Sequence, residues 1–205
     1  MSALTATPTL KQAAAARADA ELVVRALRGR DDGFEELVRR YQRPIVSYVY
    51  RMTGDYDAAL DLTQEVFIKV YNSLARYRPE YKFSTWIYRI AHNAAVDHLR
   101  RQPSRTQGLD ATAADGQSYE RPVASDAPSP EQLSERAELR AEIEDVIRQL
   151  PASYRELIEL RHGHDLSYDE IAEVTGLPLG TVKNRIFRAR EAMRRPLLER
   201  GIGAD

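Results

Sequence analysis

The 205-residue sequence contains no cysteine. That excludes disulfides, thiolate chemistry and cysteine-ligated zinc, and it fits an expected cytoplasmic setting. It also lacks any apolar run near the roughly 18 residues that a membrane span needs, so no spanning segment is expected. Residues 1–21 have neither the basic start nor the long apolar stretch of a secretion signal, and read as a tail leading into a helix. No segment carries a convincing strand pattern, and there is no internal repeat. A large excess of one charge is missing too: 30 basic and 31 acidic side chains leave a net charge of −1. What remains is an ordinary hydrophobic share of 43% in a length that allows one large domain or two small ones.

The most informative stretch is residues 166–191. Ser167 with Glu170 three positions on forms a capping box, followed by apolar Ile171, Ala172 and Val174. Gly176, Leu177 and Pro178 break that helix. A second helix opens at Leu179 or Gly180, with Leu179, Val182, Ile186, Ala189 and Met193 at helical spacing. Its other face holds Thr181, Lys183, Asn184, Arg185, Arg188 and Arg190. A capped helix, a Gly-x-Pro turn and a basic second helix predict a helix-turn-helix that reads duplex DNA. Charge is consistent with this only locally. Residues 142–178 carry nine acidic side chains and three arginines, a net of −6, whereas residues 179–205 carry seven basic and three acidic ones, a net of +4. Long-range attraction to DNA should therefore be weak, and a partner supplying most phosphate contacts is expected.

The rest reads as all-α, two small helical domains joined by a flexible linker. Residues 1–18 are expected as a tail and 19–101 as the first domain. There Phe34, Leu37, Val38, Tyr41, Ile45, Tyr48, Val49 and Met52 recur at three and four until Gly54. Ala59, Leu62, Val66, Val70 and Leu74 mark a helix from about Tyr56 to Arg76. A loop with Pro79 follows, and Ser84 is the expected cap of a helix with Trp86, Ile87, Ile90, Ala91 and Ala94 inward. Residues 102–129 hold almost no large apolar side chain and read as the linker. The second domain is expected over 130–196, with a tail over 197–205.

Three blocks in this order resemble the extracytoplasmic-function (ECF) sigma factors of bacterial RNA polymerase. DLTQEVFIKVYNSL at 61–74 looks like region 2.2, FSTWIYRIAHNAAVDHLRR at 83–101 like regions 2.3 and 2.4, and residues 150–191 like region 4. The resemblance implies that region 2.2 meets the clamp helices of the largest core subunit. The matching positions are Asp61, Gln64, Glu65, Ile68, Lys69 and Asn72, a polar stripe beside the inward Leu62, Val66 and Val70 row. It also implies a −10 element captured as single strand with a base flipped out. Tyr77, Tyr81, Lys82, Phe83, Trp86, Arg89, Asn93 and Arg100 are the candidates, Asn93 for a base edge and nearby Asp97 for orienting an arginine. Unstacking costs a few kcal/mol per base and stacking on an aromatic returns about 1–3 kcal/mol, so interleaved aromatics and cations suit this task. Trp86, on the apolar stripe, reads as core rather than platform, and Phe83 similarly; Tyr77, Tyr81 and Lys82, on the loop, are the better contacts. In region 4, Lys183, Asn184 and Arg188 would read −35 bases, with Thr181 and Arg185 on phosphate. The acidic half before the turn would face the polymerase flap.

Further implied are promoter DNA and an anti-sigma factor as partners, and neither a small-molecule substrate nor a cofactor. His162 and His164 stand two residues apart and do not share a helix face, so no metal is expected. Two other classes fit parts of the chain. A transcription regulator with a helical sensor explains residues 150–196 but not the Asp61, Gln64, Glu65 run. A recombinase would need a nucleophile amid arginines on a folded catalytic domain, for which residues 20–101 lack size and strands.

Overall fold

The computed structural model describes residues 10–101 and 130–203, and among these every regular element is a helix. The order is α1 (Leu10–Leu27), α2 (Asp31–Thr53), α3 (Tyr56–Ser73), a 3-10 turn (Leu74–Arg76) and α4 (Phe83–Arg101). Then come α5 (Pro130–Arg148), α6 (Ala152–Ile158), a π turn (Glu159–Gly163), α7 (Tyr168–Thr175) and α8 (Leu179–Glu199). The stretch 102–129, expected as a linker, lies outside the described residues.

Helices α1–α4 pack into one bundle because each presents an apolar stripe inward. Leu37, Ile45, Tyr48 and Val49 of α2, Ala59, Val66 and Val70 of α3, and Phe83, Ile87, Ala91 and Ala95 of α4 are fully buried. One terminus is longer than the sequence reading expected. α1 begins at Leu10, inside the expected tail of 1–18, because its alanine-rich start has high helix propensity even without a periodic apolar pattern. α8 runs to Glu199, consistent with a helix expected to reach at least Arg195. Arg200 secures it to α5 through Asp145 at 2.5 Å and the Glu142 carbonyl at 3.1 Å.

α1 crosses α2 at Gly33, where a Cβ would stand 2.7 Å from both the Leu22 carbonyl oxygen and the Ala26 nitrogen. The crossing is locked by buried Asp19, which accepts from Tyr41 Oη at 2.5 Å and also pairs with Arg40. Burial raises the Asp19 carboxyl above its ordinary range, with Tyr41 and Arg40 opposing the shift. Asp55 caps α3 by accepting from the Ala58 nitrogen at 3.0 Å. Ser84 does not cap α4, which starts at Phe83 and takes Ser84 into its first turn.

In the second half the capping box forms as expected. Glu170 N donates to Ser167 Oγ at 3.2 Å, and Ser167 N donates to Glu170 Oε2 at 2.7 Å. Gly176 closes α7 at φ 69°, the left-handed region, with its N–H on the Ala172 carbonyl. α8 then opens on the Pro178 carbonyl, which accepts from Thr181 and Val182 nitrogens at 2.8 and 3.1 Å. The helix expected to run to about Arg161 turns π over Glu159–Gly163. The two halves touch: α4 packs on α7 and α2 on α6.

Candidate protein and nucleic-acid interfaces

On α3 the inward row of Leu62, Val66 and Val70 is buried. Asp61, Gln64, Glu65, Ile68, Lys69 and Asn72 all lie exposed on the opposite side. Their polarity is broken by two apolar groups, Ile68 and Tyr71, each 61% exposed. Tyr71 was missed in the sequence; its position three after Ile68 on the same stripe was the available signal. Its ring is held edge-on to Phe34 at 5.0 Å, so it stands preorganised against solvent. A polar rim around exposed apolar anchors is the composition of a helix-docking surface.

The aromatic group between α3 and α4 divides in two. Tyr77 is 8% exposed and donates its hydroxyl to the Tyr81 carbonyl at 2.6 Å. Phe83 is 0% exposed and packs at 5.7 Å from both the Tyr77 and Trp86 rings. Tyr77 and Phe83, grouped with the strand contacts from sequence, therefore stiffen the loop from within instead of offering a ring to a ligand. Trp86 is half-buried against both. Tyr81, 52% exposed, is the open ring of the group. Arg89, Asn93, Asp97 and Arg100 form an exposed stripe along α4. Lys82 is already engaged: its Nζ lies 2.8 Å from Glu170 Oε1 in the second half.

On α8, Val182, Ile186 and Ala189 are buried. Thr181, Asn184, Arg185 and Arg188 line one open concavity of about 410 Å³, together with Gly180 and Tyr154 of α6. Lys183 does not share it. It lies exposed on the neighbouring stripe four residues before Phe187, which is 66% exposed. The sequence reading placed Lys183 with Asn184 and Arg188, and Thr181 with Arg185; the structure instead brings the last four onto one concave face. Tyr154 and Phe187 were missed, Tyr154 because a tyrosine on a helix stripe reads as core from sequence.

The histidine pair splits. His162 Nε2 meets Arg190 Nη2 at 3.2 Å on the α8 side. Burial, with Arg190 and Arg161 nearby, holds its pKa below the ordinary range. His164 turns to the first half, where Nδ1 is 2.6 Å from Tyr88 Oη. Its Nε2 stands 3.3 Å from Glu159 Oε1, off hydrogen-bond alignment.

Residues 37–105 match the Sigma-70 region 2 family and residues 140–193 the Sigma-70 region 4 family. The chain is 42% identical to the RNA polymerase sigma-H factor of Pseudomonas aeruginosa over 180 residues, 87% of this chain and 93% of that one. It is 40% identical to the ECF RNA polymerase sigma-E factor of Escherichia coli K12 over 176 residues, 85% and 92% of the two chains. In fold it resembles CnrH as seen in complex with the cytosolic domain of CnrY, at TM-score 0.60 and 24% identity over 88% of this chain and 97% of that one. With both region families in order and relatives of this identity matched nearly end to end, the chain belongs to the extracytoplasmic-function sigma factors of bacterial RNA polymerase.

Proposed function

We infer that the protein is a transcription initiation factor that joins core RNA polymerase and directs it to promoters, under the control of an anti-sigma factor. The observation that carries this reading is the coexistence, on one chain of this family, of a protein-docking stripe on α3 and two separate basic faces on α4 and α8. A regulator that binds operator duplex on its own has no use for the α3 stripe.

In this reading α3 lies against the clamp helices of the largest core subunit, with Ile68 and Tyr71 as apolar anchors and Asp61, Gln64, Glu65, Lys69 and Asn72 fixing the register. The concave face of α8 enters the major groove of a −35 duplex. Asn184 and Arg188 read bases there, since a bidentate Asn–adenine or Arg–guanine pair discriminates by about 1–3 kcal/mol. Thr181 and Arg185 hold phosphate. At the −10 element Tyr81 stacks a displaced base, Lys82, Arg89 and Arg100 follow the backbone, and Asn93 meets a base edge. The few kcal/mol of unstacking is then offset by stacking of about 1–3 kcal/mol per ring together with these charges. Polymerase supplies the remaining DNA grip that a net charge of −1 does not. The bond-making of transcription belongs to polymerase, and the chain acts in the cytoplasm beside it.

The direct test mixes the purified chain with sigma-free core polymerase and promoter fragments of varied −35 and −10 sequence, followed by sequencing of transcript starts. Initiation dependent on the chain, from sites sharing two spaced elements, is the expected result. Duplex binding by the chain alone, with core left idle, would replace this reading with that of a regulator.

A further inference from the structure

The concave face of α8 holds one side chain with no role yet. Tyr154 belongs to α6, yet it lines the same concavity of about 410 Å³ as Thr181, Asn184, Arg185 and Arg188. Its ring is half-buried against the core of the second half, and α6 itself packs on α8. The ring is thereby held in place, with little rotamer freedom left to lose on binding. Among the described residues its hydroxyl has no hydrogen-bond partner. Tyr41, Tyr48 and Tyr77, by contrast, each donate theirs to a carboxylate or a carbonyl of the protein. Gly180 lines the concavity too, and a Cβ there would meet nothing within 4 Å. Packing therefore does not call for glycine at this position, where alanine is the better helix former. What the missing side chain provides is room for another molecule close to the backbone of α8.

A helix lying in the major groove has a row of phosphates on either side of it. A side chain that reaches the same concavity from a helix beside it therefore meets backbone, not base edges. A phenol hydroxyl is a neutral donor that suits a phosphate oxygen, and tyrosine is among the side chains that hold DNA in this way. We propose that Tyr154 is a phosphate-binding residue of the −35 interface. Its hydroxyl donates to a non-bridging oxygen of one backbone phosphate, with the strand lying close over Gly180. The contact is uncharged and fixed to α6, so it sets the orientation at which Asn184 and Arg188 meet the bases without itself reading sequence. This assignment rests on the reading of α8 as the −35 helix.

The test titrates promoter fragments with the complex of the full chain and core polymerase. Tyr154→Phe keeps the ring and removes only the hydroxyl. It is expected to weaken binding about five- to tenfold, with the melting temperature unchanged. The factor should be the same on every −35 sequence that the parent chain accepts. The slope of affinity against salt should stay that of the parent, since no cation is lost. A methylphosphonate, which replaces one phosphate oxygen by a methyl group, is then moved along the −35 backbone. At one position its penalty should be several-fold smaller in Tyr154→Phe than in the parent, the mark of two groups in contact. Binding of Tyr154→Phe equal to that of the parent, or equal methylphosphonate penalties in both chains at every position, overturns the proposal. A loss that comes with a matching fall in melting temperature also overturns it, and makes Tyr154 a packing residue. If the parent chain with core shows no dependence on −35 sequence at all, the reading of α8 falls and the Tyr154 contact falls with it.

Discussion

α3 and α4 are neighbours of nearly equal length, 18 and 19 residues, and each buries one face in the same bundle. Their outer faces differ. Among the described residues the outward stripe of α3 is exposed, with the apolar side chains of Ile68 and Tyr71 left in solvent. The start and one flank of α4 are covered by the chain's own second half, through Lys82, Tyr88 and His92. The stripe proposed to meet polymerase is thus open among the described residues, while the stretch proposed to handle opened DNA is partly covered. The order of events this suggests is docking first and strand capture second.

The sharpest way to break the comparison is at the layer beneath both helices. Phe83→Ala removes a fully buried ring that touches Tyr41, Tyr77 and Trp86. It should cost about 3–5 kcal/mol in a urea titration and dissolve the loop geometry with it. On α3, Ile68→Arg combined with Tyr71→Ala should weaken core polymerase binding by ten- to a hundredfold, roughly 1.4–2.7 kcal/mol, with the melting temperature scarcely moved. Equal losses in binding and in stability would mean that these side chains are structural. On the α4 side, Tyr81→Ala should lower capture of a single-stranded −10 oligonucleotide by the polymerase complex about tenfold, within the 1–3 kcal/mol of one stacking ring, again without loss of stability. No change there would leave the loop without its open platform.

Acidification sharpens the contrast without mutation. Burial alone would raise Glu159, but contact with His164 and the charge of Arg51 outweigh it and hold its carboxyl below the ordinary range. Glu170 is likewise lowered, by Lys82 and the Ser167 cap against its burial. Groups depressed in this way stabilise fully above the unfolded value, near 4.3, and lose that contribution as pH falls through their lowered values. Asp19 is shifted the other way by burial, so its protonation favours the α1–α2 crossing in acid. The contact between the two halves should therefore loosen before the bundle melts, seen as a larger radius of gyration in small-angle X-ray scattering at retained helicity. A single cooperative loss of both would count against a contact weaker than the bundle. The smallest effect expected is Ser167→Ala, about 1 kcal/mol from the lost cap, read in thermal unfolding.

What could be read in the sequence follows how local the encoding is. The α7 cap, the Gly176 stop and the inward rows of α2 and α3 depend on residues three or four apart, and all were legible. α1 before Asp19 escaped because alanine favours helix without marking a face. Tyr77 escaped because a tyrosine in a Pro-containing loop looks exposed until its ring finds Phe83 and Trp86. The docking glutamates of the second half escaped for a different reason. Arg51 and Glu159 are separated by 108 positions, as are Tyr48 and Glu156. No short pattern says which arginine a given glutamate will meet.

The π turn at Glu159–Gly163 bears on how this arrangement is set. A wider turn carries one residue more than an α-helical one, so every side chain after it is advanced in phase by about 100°. Gly163 fits there because a Cβ would fall 2.6 Å from Glu159 Oε1. Losing that single residue would leave the helix-turn-helix intact as a unit while rotating it relative to Glu156 and Glu159. The orientation of the helix-turn-helix on the first half is thus set by the one extra residue that this turn holds.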